Sequence, residues 1–294
     1  GRVNKMRALV TGGVGFVGTN LIKRLLKDGH EVISFDNYST GYKENEQDGC
    51  EYVNVDLANR KTLSWFLSMT DKIDVIFHMA ALARIQPSLK NPAKCLENNF
   101  NGTLNILEYA RKNDIEFVYA GSSSKHHGLY GSPYAWSKYG GEQLCKLYSE
   151  VYGLNTTICR FYNVYGPHHI KTGSYATVLG IFENQYINNK PLTITGDGEQ
   201  RRDFTYVEDI VDGLVRCVGK DFKGEEFEFG TGVNYSINEV ASLFECDTTY
   251  IPERPGEYDV TLCDYAKAKK LLGYEPKDNL KKYVTKWLEE NKNV

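Results

Sequence analysis

The stretch Arg7–Gly18, R-A-L-V-T-G-G-V-G-F-V-G, constrains the fold of this chain more than any other. Its apolar run, Ala8–Val10, reads as a buried parallel strand, and Phe16–Lys27 carries a helical pattern that stops at Gly29. Strand, glycine turn and helix in that order make a glycine pattern a phosphate site. Gly12 permits the tight turn, Gly15 lets the backbone approach a pyrophosphate, and Gly18 lets the helix lie close to the strand. The helix N-terminus, where Phe16 and Val17 sit, offers unpaired N–H groups and a partial positive charge.

A second strand, Glu31–Phe35, ends in Asp36, 24 residues after Gly12. That is near the roughly 20-residue spacing of an acid that binds an adenosine ribose. A carboxylate there accepts hydrogen bonds from ribose hydroxyls and repels a 2′-phosphate, which predicts NAD rather than NADP, with Asn37 alongside. A third strand, Glu51–Val55, ends in Asp56-Leu57. Asp56 either holds the adenine amine, with Leu57 on the ring, or caps the helix near Asn59–Met69. The fourth strand, Ile73–Phe77, runs into Ala80 and Ala81, small enough to leave room for a ligand. A long helical pattern from Pro92 to Arg111 contains Asn98, Asn99 and Asn101, poor helix formers, of which Asn99 is expected to face the site.

The fifth strand, Glu116–Ala120, gives way to Gly121-Ser122-Ser123-Ser124. Ser132-Pro133 is a strong helix start, and that helix carries Tyr134 and Lys138, four apart and so on one face. A sixth strand, Thr156–Phe161, leads to Asn163. This alternation predicts an α/β fold, a doubly wound parallel sheet of Rossmann type. Beyond His168 the pattern is irregular. It allows a helix between Tyr175 and Asn188, a strand at Leu192–Thr195, a helix at Tyr206–Val218 and a strand at Glu226–Phe229. Ser236 and Glu239 form a capping box, and Asp264–Leu272 and Leu280–Asn291 read as closing helices. The expected division is a nucleotide domain of residues 1–166 with 203–232, and a smaller substrate-binding lobe of 167–202 and 233–294.

Composition excludes several classes. A net charge of −3 over 294 residues gives no electrostatic case for nucleic acid or an anionic membrane. No run approaches the ~18 apolar residues of a membrane span. The seven cysteines never form a C-x-x-C pair, so they read as reduced thiols rather than disulfides or a zinc site. Adjacent His126 and His127 do not converge on a metal. With no leader visible, the expectation is a cytoplasmic protein.

Five segments together carry a resemblance. They are T-G-G-V-G-F-V-G at Thr11–Gly18, D-N-Y-S-T-G at Asp36–Gly41, Y-A-W-S-K at Tyr134–Lys138, N-V-Y-G-P at Asn163–Pro167 and G-D-G-E-Q-R-R-D-F-T-Y-V-E-D at Gly196–Asp209. In this order, over nearly the whole chain, they resemble the extended short-chain dehydrogenase/reductases, in particular the NAD-dependent nucleotide-sugar epimerases and dehydratases. The resemblance implies a tightly held NAD, also touched by Ser122 and Phe161. It implies that Tyr134 is base and acid, and that Lys138 lowers its pKa and binds the nicotinamide ribose. The chemistry agrees, because a phenol titrating near ~10 is a poor base at neutral pH without a nearby cation. A serine of the tract should bind the reacting sugar hydroxyl. Ser123 fits best, with Ser124 and Ser122 as alternates.

By the same resemblance Asn163, Arg202 and Arg254 hold a nucleotide diphosphate, Arg being suited to forked hydrogen bonds, and Glu257 belongs to the ribose segment. Val178 and Leu179 either pack on the nucleobase or belong to the core. Thr261 would border the sugar's 2-substituent, and its small size predicts that N-acetylhexosamines are admitted. The family's usual homodimer would form through a helix pair including the Tyr134 helix. Two departures stand out: a shortened loop before Tyr134, and H-H-G in place of V-Y-G, which sets His127 near the hexose. Ser123-Ser124-Lys125 also lacks the carboxylates that dehydratases and decarboxylases carry there. The expected reaction is therefore inversion at C4 of a UDP-hexose through a 4-keto sugar, with 4,6-dehydration, decarboxylation or 4-reduction as alternatives.

Overall fold

A computed structural model describes residues 4–292. The first six strands are β1 (Arg7–Thr11), β2 (Glu31–Asp36), β3 (Glu51–Asn54), β4 (Val75–His78), β5 (Glu116–Ser122) and β6 (Thr156–Phe161). With the strand Glu225–Phe229 they form one seven-stranded parallel sheet in the order Glu225–Phe229, β6, β5, β4, β1, β2, β3. The central strands are apolar on both faces, as helix-covered parallel strands must be. Ala8 and Val10 of β1 pack with Leu21, Ile22 and Leu25 of the helix Phe16–Lys27 and with Ile210 and Leu214 of the helix Val207–Arg216. Leu9, one residue out of phase, faces the opposite cluster. That cluster holds Ile106 and Leu107 of the helix Gly102–Asn113 and Cys145 and Tyr148 of the helix Pro133–Tyr152.

The winding reverses between β1 and β4, so their carboxyl ends part and open a crevice. A third cluster lies in a smaller lobe, where Leu179, Phe182, Ile194, Val240, Phe244 and Trp287 pack together. The expected strand Leu192–Thr195 is present, and three further strands there, Arg201–Arg202, Tyr235–Ser236 and Thr248–Ile251, have no counterpart in the sequence pattern. Arg201–Arg202 runs antiparallel to Tyr235–Ser236, and Thr248–Ile251 pairs in parallel with Leu192–Thr195. Two-residue bridges are too short to show a period.

Two elements differ from expectation in ways that shape the site. β5 continues through Ser122, which pairs with Phe161. The long helix after Pro92 is broken into Pro92–Leu96, a π-helical turn at Glu97–Asn101, and Gly102–Asn113. The asparagine-rich stretch is the turn itself.

Candidate active site

The sheet's carboxyl edge and the lobe enclose a cavity of about 890 Å³, at the upper end of small-molecule sites. One end is built on the first βα turn. Gly12 has φ +72°, and a Cβ there would lie 2.8 Å from the Ala80 Cα. A Cβ on Gly18 would overlap the Gly12 carbonyl oxygen, so close helix–strand packing requires glycine. Gly15 caps the helix Phe16–Lys27, which has no acid in its first turn to compete for its N–H groups. Asp36 closes this end, one carboxylate oxygen accepting from the Val14 N–H at 3.1 Å and the other from the Tyr38 N–H at 2.8 Å. Burial raises its pKa against these backbone bonds. Phe16, Val17, Asn37, Leu57, Ala80 and Ala81 complete the wall. A glycine cradle, a free helix N-terminus and an oriented acid together fit a dinucleotide.

The other end is built on β5 and the helix Pro133–Tyr152. Ser132 caps that helix by accepting from the Ala135 N–H at 3.1 Å, which turns Tyr134 and Lys138 onto the wall with Ser122, Ser123, Ser124 and Phe161. Lys138 is only 4% exposed, and its Nζ lies 4.6 Å from the centre of the Tyr119 ring. Burial draws its pKa down to about 8, with Glu142 opposing. Burial raises the Tyr134 phenol above its ordinary value, while the Ser122 hydroxyl and the charge of Arg84 pull it down. The expected lowering of this phenol is thus outweighed by burial, and the opposing cation is Arg84. The Ser124 Oγ is buried without a hydrogen-bond partner among the described residues.

Behind the serines, Lys125 pairs with Glu226 at 3.7 Å and His126 with Glu228. Both glutamates also meet Arg160, which forms a buried ion pair with Glu142. This cluster ties the turn Ser123–His127 to the edge of the sheet.

Across the cavity stand Arg202, Arg254, Glu257, Asn163, Val178 and Leu179. Arg202 donates to the carbonyls of Arg201 at 2.8 Å and Tyr258 at 2.6 Å. Arg201 is drawn away to Asn234 and Glu239. Leu179 satisfies both expectations, lining the cavity while packed in the lobe's core.

Four expected positions do not line the cavity. Asp56 is exposed and accepts from the Ala58 N–H, and Asn59, not Asp56, caps the following helix through the Thr62 N–H at 3.1 Å. Asn99 is buried. Its Oδ1 accepts from the Leu82 N–H at 2.8 Å and its Nδ2 donates to the Leu82 carbonyl and to Ser137 Oγ. It fixes the chain after β4, and Asn98 reaches the wall instead. His127 stacks on Tyr258, rings 4.2 Å apart and 19° from parallel, and Tyr258 is the one that lines the cavity. Thr261 is buried, its hydroxyl donating to Asn163 Oδ1 and accepting from the Asp203 N–H, each at 3.0 Å. It supports Asn163 and touches no open space.

Arg84, Gln86 and Tyr258 line the cavity without having been singled out from the sequence. Tyr258 directly follows Glu257, which was its available signal. Arg84 stands three residues past Ala81, beyond any motif.

These features define a dinucleotide-dependent enzyme whose second ligand meets arginines. Residues 8–230 match the NAD dependent epimerase/dehydratase family, and the chain belongs to it. It is 35% identical to the putative UDP-glucose 4-epimerase of Methanocaldococcus jannaschii, over 96% of this chain and 98% of that protein. The structure of UDP-glucose 4-epimerase with UDP-glucose from Thermotoga maritima is similar at a TM-score of 0.90 and 29% identity, covering 98% of this chain and 99% of that one. The Thermus thermophilus UDP-glucose 4-epimerase, solved in complex with NAD, is similar at 0.86 and 28%, covering 96% and 99%. The protein is an NAD-dependent enzyme of the nucleotide-sugar epimerase/dehydratase family. Among the described residues no helix is long and apolar enough to cross a membrane.

Proposed function

We propose that this chain inverts C4 of a UDP-hexose through a transient 4-keto sugar. One observation carries the choice within the family. The turn beside Tyr134 presents Ser123 and Ser124 and no carboxylate, and Lys125 is held away by Glu226. Elimination of water across C5 and C6 needs an acid and a base beyond the tyrosine, and this turn's two histidines stand off the cavity, His126 paired with Glu228 and His127 stacked on Tyr258.

NAD, when bound, supplies the reversible hydride acceptor. Gly12, Gly15, Gly18 and Asp36 hold it, with Phe16, Val17, Asn37, Leu57, Ala80 and Ala81 around it. Lys138 bonds its nicotinamide ribose. Tyr134 takes the proton from the sugar hydroxyl and returns it, and Ser123 orients that hydroxyl, with Ser122 and Ser124 as its neighbours. Inversion requires the sugar to present both faces in turn. The firm grip is therefore on the nucleotide, through Asn163, Arg202, Arg254 and Glu257, with Val178 and Leu179 on the base. The helix Pro133–Tyr152 leaves Trp136, Leu147 and Val151 exposed, which supports a homodimer through that helix.

The test is to incubate purified protein with UDP-galactose and no added cofactor, then resolve the products by chromatography and mass. Formation of UDP-glucose at unchanged mass is expected. A product lighter by water or CO₂, or turnover only with an added reductant, overturns the reading in favour of a dehydratase, decarboxylase or reductase.

A further inference from the structure

Arg84 is the residue that the C4-inversion account leaves unused. It precedes the short helix Ile85–Lys90 with φ +122° and ψ 138°, a backbone region that glycine enters freely and side chains avoid. It lines the cavity in company with Tyr134, Arg254, Glu257 and Tyr258. Its neighbour Gln86 donates to the Pro255 carbonyl at 2.7 Å and to Glu257 Oε1 at 3.3 Å, which fastens this turn to the lobe. The Arg84 guanidinium has no ion-pair or hydrogen-bond partner among the described residues, although Glu257 and Tyr134 stand near enough for their charge to favour its protonated form against burial.

A guanidinium is always charged and presents a planar fork of donors matched to two anionic oxygens. Left unpaired in a cavity wall it is costly, and a strained backbone persists only where its surroundings enforce it. Both features point to a ligand. Arg202 and Arg254 already answer the two charges of a diphosphate. Arg84 is a third cation, beside the group that meets the reacting C4 hydroxyl. The sugar atoms nearest C4 that can carry a full negative charge are the oxygens of a C6 carboxylate, one carbon beyond C5.

We propose that Arg84 binds the carboxylate of a hexuronate, so that among the UDP-hexoses this chain accepts the UDP-hexuronate is held more tightly than the neutral sugar. This rests on the nucleotide-sugar 4-epimerase reading and narrows it. A phosphate offers the same oxygen chemistry, so the test separates the two.

Calorimetric titrations of NAD-loaded protein with UDP, UDP-glucose and UDP-glucuronate are compared for the wild type, Arg84→Gln and Arg84→Gly. Loss of a charge-assisted pair is expected to weaken UDP-glucuronate by about tenfold or more in both variants. UDP and UDP-glucose should stay within about twofold, since their contacts are untouched. Equal weakening of all three ligands places Arg84 on the diphosphate and overturns the proposal, as does no weakening of any. Arg84→Gly should melt no lower than the wild type, because glycine fits the backbone; this excludes misfolding as the cause of a loss. Binding is read without turnover. If UDP-glucuronate binds through Arg84 but leaves as a product lighter by CO₂, the epimerase reading falls and the Arg84 assignment stands. If no UDP ligand binds the wild type, both fall.

Discussion

The two ends of the cavity are prepared differently. At the dinucleotide end the polar side chains Asp36 and His78 are already bonded within the protein. Asp36 is held by two backbone N–H groups, and His78 is clamped between Thr11 Oγ1 at 2.7 Å and Thr103 Oγ1 at 2.9 Å. Burial drives the His78 pKa down to about 3, so it is a neutral spacer beneath the cofactor turn. At the sugar end, Ser124 Oγ and the Arg84 guanidinium lack partners among the described residues. A preformed end minimises the cost of binding and suits a resident cofactor. An end with unspent hydrogen bonds suits a ligand that must be gripped, released and turned.

The sharpest way to break this contrast is Tyr134→Phe. If the ends are separable, NAD content stays at the wild-type level while turnover falls by about 10²–10⁴-fold, the range for a lost acid–base group. Loss of NAD together with activity would show one continuous site. Near-normal turnover would remove the phenol from the chemistry.

A second test asks whether the sugar end is stiffened from behind. Glu142 is fully buried and its carboxylate accepts hydrogen bonds only from Arg160 among the described residues, so Arg160→Met strands a charge. The expected loss is about 3–5 kcal/mol by urea denaturation, as for other broken buried pairs. A loss under about 1 kcal/mol would mean that water reaches the cluster and that it behaves as a surface pair.

Much of this was legible beforehand because it is periodic or covalently local. The glycine turn, the strand alternation and the Tyr134–Lys138 face follow from spacings that the backbone enforces. What escaped depends on single torsions. The π-helical turn at Glu97–Asn101 rotates the helix by about one residue, so Asn98 faces the cavity where an unbroken helix would present Asn99. Aligned spacing placed Thr261 near the sugar, but spacing along an irregular loop carries no direction, and the side chain points to Asn163 and Asp203. Arg84 owes its place to one left-handed φ that no pattern announces.

Lys138 offers a smaller, pH-dependent test of the seam between the two ends. Its folded pKa, about 8, lies below the ordinary lysine value of 10.5. The unfolded chain therefore binds more protons between those values, and stability rises with pH across that window. The burial penalty is felt in full below about 8 and is relieved toward 10.5, amounting to about 3 kcal/mol at most. Lys138→Met should lack this rise when melting curves of both proteins are compared from pH 7.5 to 10.5. Parallel curves would show that the ammonium is solvated.

The smallest expected effect belongs to Thr261→Val. The valine keeps the shape and removes the hydroxyl that links Asn163 Oδ1 to the Asp203 N–H. Asn163 itself sits at φ +27°, an uncommon conformation for a side-chain residue, so its orientation depends on such support. The surrounding junction resists collapse, because the Asp203 carboxylate accepts from Thr231, Gly232 and the Cys263 N–H. The orphaned Asp203 N–H should lower stability, while the effect on binding passes through Asn163 alone, about 1 kcal/mol or a roughly fivefold rise in KM at unchanged kcat. A residue that works through Asn163 grips the nucleotide and ignores the sugar's 2-substituent. The rise should therefore be equal for UDP-hexose and UDP-N-acetylhexosamine. A change confined to the N-acetylated substrate would return Thr261 to the pocket where its sequence position first set it.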